Sequence, residues 1–382
     1  MTDAQRILDF CRDQQSWLIE TIEALVRHES PSDNKQAVDH CGRELSRRLA
    51  EIGADVRAIT TTTAGNHLRA QFGGGRRQIL LLGHFDTVWP VGQLQQMPLA
   101  RDGDRLHGPG TLDMKAGIGL GMLATRALFT VQPPSDTRIM MLWTTDEEIG
   151  SQTSRALVET EAQQSEAVLV LEPALPGGAL KTSRKGCGEY EIVVRGQAAH
   201  AGVDPGKGIS AIRELARQIL AIETLQDSSA GVSVNVGVIE GGSRPNVIAA
   251  EARARVDARA PTLADADRVD AAIRGLTPHI PGAVIEVHGG FGRPPMERTP
   301  GVARLFDVAR RAGGELGQTV GEGSTGGGSD GNFSAALGVP TLDGLGALGD
   351  GAHALHEHVL VPSLAPRAAL LARVMALIAT TH

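Results

Sequence analysis

Aromatic side chains are scarce in this chain: seven Phe, three Trp and one Tyr make up 3% of its 382 residues. Aromatics normally supply much of a core's buried area, so Leu, Val, Ile and Ala must fill the interior. Cysteine is nearly absent as well. Cys11, Cys41 and Cys187 are odd in number and lack C-x-x-C spacing, which argues against a disulfide framework and fits reduced thiols in a cytosol. Cationic runs are missing. Lys+Arg 37 against Asp+Glu 44 leaves a net charge of −7, and no basic stripe follows any segment, so nucleic acid is excluded as a partner. Met1 to Glu20 shows no basic-then-apolar signal pattern, and no segment approaches the roughly 18 apolar residues of a membrane span. The expectation is a soluble, cytoplasmic protein with no membrane partner.

What is plentiful is aliphatic content and glycine. Apolar residues make up 41% of the chain and 47 residues are Gly, enough to fold a core and to shape its loops. At roughly 100–200 residues per domain, the length suits about two domains.

Helical spacing of Ile7, Leu8 and Cys11, of Leu18, Ile19, Ile22, Leu25 and Val26, and of Leu45, Leu49 and Ile52 predicts two helices in the first 50 or so residues, parted by Ser30-Pro31-Ser32. Three unbroken apolar runs follow, Ile79 to Leu82, Ile139 to Trp143 and Val168 to Leu171. Such runs suit strands buried on both faces of a sheet. Between them, Ala116 to Leu128 and Ser151 to Ala162 read as helices, giving an α/β layer. After Gly178 the pattern changes: Glu189–Val194, Val232–Ile239 and Ala250–Asp257 alternate like half-exposed strands, and Ile209–Ile222 is an amphipathic helix. This predicts an inserted α+β domain over 184–292 in a catalytic domain formed by 1–183 and 293–382. Gly289 to Pro300 is read as the return linker, and Val302–Ala312 and Ala365–Ile378 as helices of the resumed domain, flanking a loop-rich stretch from Gly321 to Val361.

The chemistry gathers at strand ends. The first run ends in Gly83-His84-Phe85-Asp86-Thr87, and at a strand's two-residue period His84 and Asp86 share a side, so that a carboxylate can orient a metal-bound imidazole. Taken alone, H-x-D is also an ordinary polar strand end. Asp113 stands in the glycine-rich loop Gly108 to Lys115 ahead of an apolar helix, where it could equally be a helix N-cap. The second run leads into Asp146-Glu147-Glu148 and the third into Glu172, and ligands bind at the carboxyl ends of strands in open α/β sheets. A histidine cluster spans Gly351 to His358. Separate strand ends that each deliver a ligand to one edge make coincidence a poor explanation.

Charge supports the grouping. His84, Asp113, Glu148, Glu172 and His353 bring three negative charges, and a bridging hydroxide makes four, which two divalent ions neutralise. If Asp113 bridges the ions, about 3.5–4 Å apart, each has the tetrahedral count that zinc prefers. Glu147, needed by neither metal, is then the candidate general base.

These motifs resemble the di-zinc metallopeptidase family of glutamate carboxypeptidase, acetylornithine deacetylase, succinyl-diaminopimelate desuccinylase and several dipeptidases. The resemblance implies a zinc-peptidase-like three-layer catalytic domain with a mixed sheet, plus an inserted lid that dimerises. It makes His84 a ligand oriented by Asp86, Asp113 the bridging carboxylate on a cis Asp113–Met114 bond, Glu147 the base, and Glu148 and Glu172 ligands. Gly351-Ala352-His353, with Glu357 and Val359, matches the setting of the last ligand, His353, with His356 as a substitute. In the lid, Arg195 to Gly202 implies that His200 donates a hydrogen bond to an oxyanion, from a partner chain of a homodimer. Asn246 would bind the substrate's backbone end, Arg259 its carboxylate, and Gly328 would approach it with main chain. Absent the resemblance, these last stretches read as turns and a surface ion pair. The loop Gly326 to Gly331 lacks the Gly-Lys-Ser/Thr ending of a phosphate loop.

The wording Thr87-Val88-Trp89-Pro90, Asp146 to Ser151 and Arg184-Lys185-Gly186 is most similar to the glutamate carboxypeptidase branch, which implies hydrolysis of an amide or peptide bond beside a free carboxylate in a small peptide or N-acyl amino acid. The cofactor implied is two Zn2+, with Co2+ or Mn2+ as replacements. An N-acyl amino-acid deacylase is the alternative. More distant ones are a non-catalytic metal or amino-acid binding protein, and a single-domain two-zinc aminopeptidase with a decorative middle segment.

Overall fold

The computed structural model describes residues 1–380. The chain forms two compact units, one from Met1–Thr182, Arg298–Ser324 and residues 329–380, the other from Ser183–Glu297 with Thr325–Gly328.

The first unit is built on a six-stranded mixed sheet. Its centre is the strand Arg77–His84, parallel to Thr137–Thr144 on one side and to Ala167–Val170 on the other. Thr341–Leu342 extends the parallel part, while His67–Phe72 and Asp55–Ile59 add antiparallel strands at the opposite edge. The unbroken apolar runs are explained by burial on both faces. Ile79, Leu81, Ile139, Met141, Trp143 and Leu169 point into one core. Leu80, Leu82, Met140, Leu142, Val168 and Val170 point into the other, against Val158 and Ala162 of the helix Arg155–Gln163 and Phe333 of Gly331–Ala336. The larger core is covered by the helices Ala116–Val131 and Val361–Thr380 with the N-terminal helices. Three layers result, helix, sheet and helix.

Four local expectations change. The first 50 residues form three helices, Asp3–Asp13, Gln15–Arg27 and Lys35–Glu51, because the chain turns at Gln14 and leaves the helical region there. The helix expected from Ser151 begins only at Arg155, since Ser151 itself has φ 58° and belongs to the preceding turn. The strands Asp55–Ile59 and His67–Phe72 lack a long apolar run to announce them. Val361–Thr380 is long and apolar enough, by composition, to cross a membrane, contrary to the sequence reading. It is instead the central core helix, with Leu364, Leu370, Leu371, Val374 and Met375 at most 1% exposed.

The second unit is a four-stranded antiparallel sheet in the order Ser233–Gly241, Glu251–Ala260, Gly186–Arg195, Val284–Arg293. Alternation is the physical signature here. Tyr190, Ile192, Val194, Ala252, Ala254 and Val256 pack with Leu215 and Ile222 of the helix Ala211–Glu223 and with Val269 and Ile273 of Leu263–Arg274. The intervening Glu191, Arg253 and Glu251 form surface ion pairs. The helix Leu263–Arg274 was not anticipated, although Thr262 caps it by accepting the N–H of Asp265. The presumed linker is corrected as well: Gly289 to Arg293 continue the strand. A Cβ at Gly289 would lie 2.1 Å from the Glu189 carbonyl oxygen, so glycine there allows close strand pairing rather than flexibility.

Small residues seat the helix Ala116–Val131 on the sheet. A Cβ on Gly117 would stand 2.1 Å from the carbonyl oxygen of Leu171, and one on Gly121 2.6 Å from the Leu171 side chain. Gly117→Ala must push the helix off the strand end that leads to Glu172. A stability loss of about 1–3 kcal/mol is expected, read as a lower urea midpoint at unchanged slope; an unaltered midpoint would contradict this packing.

Candidate metal centre

The parallel strands end in register. Leu82 pairs with Leu142 and Val170, and His84 pairs with Thr144. His84, the turn Glu147–Ile149 and Glu172 therefore emerge at one sheet edge, the carboxyl end. Asp113 arrives from the loop ahead of the helix Ala116–Val131, and the Asp113–Met114 peptide is cis. His353 arrives from the turn after Gly351 and has φ 61°.

These five side chains form two groups that share one member. His84, Asp113 and Glu172 make the first, and Asp113, Glu148 and His353 the second, each with ligand atoms within 4.8 Å of one another. His84 Nε2 lies 3.3 Å from Asp113 Oδ1 and 3.5 Å from Glu172 Oε1. His353 Nε2 lies 3.4 Å from Asp113 Oδ2 and 3.2 Å from Glu148 Oε2. Asp113 thus presents one oxygen to each group. It is His353, not His356, that joins Asp113 and Glu148.

The electrostatics call for cations. Three carboxylates converge where water is largely excluded, an arrangement that like charges oppose. Asp113 and Glu148 push His353 up to about 10. Burial opposes protonation of His84, yet Asp113, Asp86 and Glu172 hold it well above the usual histidine range. Burial raises Glu148, whereas for Asp113 burial is outweighed by the two histidines, which hold its carboxyl low. Among the described residues, buried His84 Nε2 and Asp113 Oδ1 lack a hydrogen-bond partner of good geometry. Two imidazoles and three carboxylates with unsatisfied buried atoms suit divalent cations that accept nitrogen and oxygen ligands.

Asp86 has a wider role than sequence suggested. The Nδ1 of His84 sits 3.0 Å from the Asp86 main-chain oxygen and 3.4 Å from its carboxylate. That carboxylate, fully buried, also accepts the Ser32 hydroxyl at 2.7 Å and the backbone N–H groups of Glu147 and Glu148 at 3.4 and 3.3 Å. It therefore ties the His84 strand to the acidic turn. Glu147, half-buried, stands beside Glu148 in that turn. Sequence reasoning missed Ser32 and also Asp330, which accepts the hydroxyls of Thr144 and Ser151 and so spans the turn from both ends. No local motif marks either residue.

The remaining candidates belong to the second unit. His200 is exposed, and its Nδ1 accepts the N–H groups of Gly202 and Val203, both at 3.2 Å. Those bonds assign the ring proton to Nε2, which becomes the donor. Asn246 is exposed and its carbonyl accepts the N–H of Ala201. Arg259 is already engaged: Nε and Nη2 hold Asp257 at 3.0 and 2.6 Å, and Nη1 meets Cys187 Sγ. The carbonyls of Gly327 and Gly328 accept the buried Arg184 guanidinium at 3.1 and 3.0 Å.

Because acidic neighbours favour the protonated form of both histidines, a cation competes with those protons. Zn2+ binding at pH 7 is expected to release protons and to tighten as pH rises. Calorimetry in buffers of differing ionisation enthalpy checks this; a buffer-independent heat would oppose it.

Comparison with known proteins places this geometry. The peptidase family M20/M25/M40 matches residues 80–377. Carboxypeptidase G2 of Pseudomonas sp. (strain RS-16) is 30% identical over 368 residues, spanning 93% of this chain and 87% of that protein. A succinyl-diaminopimelate desuccinylase of Burkholderia ambifaria is 26% identical over 374 residues, 90% of this chain and 94% of its own length. Among solved structures, aminopeptidase PepT of Bacillus cereus superposes with a TM-score of 0.79 at 23% identity, covering 96% of this chain and 99% of that one. Bacillus subtilis YXEP, described as a dinuclear metal binding peptidase from the M20 family, gives a TM-score of 0.70 at 15% identity over 97% and 100%. With its three-layer mixed-sheet unit and clustered nitrogen and oxygen ligands, the chain belongs to the peptidase family M20/M25/M40 and is a metallopeptidase or amidohydrolase.

Proposed function

We propose that the protein is a di-zinc hydrolase that cleaves an amide or peptide bond next to a free C-terminal carboxylate, in the manner of a glutamate carboxypeptidase. The observation that carries this reading is the divided carboxylate of Asp113, one oxygen in each ligand group. The likeness to carboxypeptidase G2 over most of both chains supports the branch. Three free cysteines, two of them buried, are compatible with a cytoplasmic enzyme, and the second unit is the expected contact of a homodimer.

When bound, two such cations supply Lewis acidity toward a carbonyl oxygen and lower the pKa of water toward about 7. His84, Asp113 and Glu172 would hold one, and Asp113, Glu148 and His353 the other. Asp86 keeps Nδ1 of His84 engaged so that Nε2 faces the site. Glu147 accepts a proton from water as its oxygen bonds to the carbonyl carbon, and returns that proton to the amine nitrogen as the C–N bond breaks. His200, protonated on Nε2, donates to the developing oxyanion. Asn246 binds the substrate's main chain, the Gly328 backbone lies close to it, and Arg259 shares its guanidinium between Asp257 and the substrate carboxylate.

Glu147→Gln should retain wild-type metal content while kcat falls by about 10²–10⁴, as read by elemental analysis beside steady-state kinetics; undiminished turnover would remove Glu147 from this role. A panel of N-acyl and peptidyl substrates ending in Glu, Asp, Leu or ornithine should show the highest kcat/KM for those ending in Glu. A strong preference for the ornithine compound would point instead to an N-acyl amino-acid deacylase.

A further inference from the structure

Glu357 is fully buried, and neither ligand group contains it. Its carboxylate receives four N–H donors. Oε2 accepts the Trp89 indole at 2.9 Å and the backbone N–H of Gly110 at 3.0 Å. Oε1 accepts the backbone N–H groups of Leu112 and Asp113 at 2.8 and 3.0 Å. Four donors on two oxygens are suited only to the ionised form, because a protonated oxygen would turn a donor toward a donor. Three of these bonds go to the segment that carries Asp113.

The same residue closes the turn that carries His353. Ala354 N–H donates to the Gly351 carbonyl at 2.8 Å, and Glu357 N–H to that of Ala354 at 2.9 Å. A Cβ on Gly351, which has φ +84°, would come within 2.8 Å of the Glu357 nitrogen. The strand His358–Leu360 pairs with Arg105–His107, so the two segments also leave adjacent strands. His84 and Glu172, by contrast, extend directly from the central sheet strands and owe their places to strand register.

We propose that Glu357 is a positioning residue, a clip that fastens the His353 turn to the Asp113 loop, so that the Asp113–Glu148–His353 cation site, which takes two ligands from the clipped segments, depends on it more than the His84–Asp113–Glu172 site, which takes only Asp113 from them. The proposal rests on the two-cation reading above. An amide in place of the carboxylate would turn its NH2 toward one pair of N–H donors, loosening the clip while nearly preserving its shape.

The test is titration with Zn2+ against a chromophoric chelator, with thermal unfolding as a check on the fold. Wild type should take two ions. Glu357→Gln should bind the second ion, that of the Asp113–Glu148–His353 site, about 10–100-fold more weakly, and weaken the ion of the His84–Asp113–Glu172 site by less. His353→Ala should lose the second ion, and adding Glu357→Gln to it should weaken the remaining ion by less than Glu357→Gln alone weakens the second, a site preference that general destabilisation does not produce. Trp89→Phe, which removes one donor and leaves three, should weaken the second ion roughly three- to tenfold. Two ions held with wild-type affinity by Glu357→Gln, or both weakened alike, would overturn the clip. If Glu357→Gln does not fold, Trp89→Phe decides, and an unchanged second ion overturns the proposal. Fewer than two ions on wild type would instead bring down the two-cation reading, and the clip with it.

Discussion

The carboxylate of Asp113 serves two ligand groups at once, and the architecture of the first unit follows from that sharing. One small side chain must offer an oxygen to His84 and Glu172 on one side and to Glu148 and His353 on the other. Aspartate is short, so the loop bearing it must be placed to within a fraction of an ångström. The register of three parallel strands sets the heights of His84, the acidic turn and Glu172. Gly117 then lets the following helix approach Leu171 closely enough for the Asp113 loop to reach the same edge.

Around that centre, buried acids act as anchors rather than ligands. Asp86 gathers a serine hydroxyl and the N–H groups of the acidic turn, Asp330 spans that turn through Thr144 and Ser151, and Glu357 gathers four N–H groups. Burying a carboxylate is costly unless its lone pairs are occupied. Each of these is occupied by groups from distant parts of the chain. Loops fixed in this way can keep three ligand carboxylates close together despite their repulsion.

Much of this was legible beforehand, and the failures have physical causes. Unbroken apolar runs marked the central strands because both faces are buried, and alternating runs marked the second unit because one face is wet. Neither Asp55–Ile59 nor His67–Phe72 carries such a signal: the first is a largely exposed edge strand, and the second, though mostly buried, interrupts its apolar residues with His67, Arg69 and Gln71. Gly289 to Arg293 looked like a linker because glycine is ambiguous: the same residue permits a turn or a close backbone contact, and only the neighbouring Glu189 carbonyl decides between them. Val361–Thr380 shows the same ambiguity in apolar composition, which fits lipid or a protein core equally well. The ion pair read at Arg259 is present, made with Asp257 two residues away on the same strand.

The order of motifs along the chain named His84, Asp113, Glu148, Glu172 and His353, which the structure brings together, since strand ends and glycine-rich loops are local properties that residue spacing encodes. Tertiary structure alone decided that the buried acids Asp330 and Glu357 hold loops and which oxygen of Asp113 serves which group; His353, already preferred to His356 from the motif register, is the one that joins the second group. Those outcomes depend on contacts between segments far apart in the chain, such as Trp89 with Glu357, 268 residues away, and Gly110 with Glu357, 247 away. A carboxylate's role follows from whether N–H donors or other ligands surround it, and no local pattern of residues carries that information.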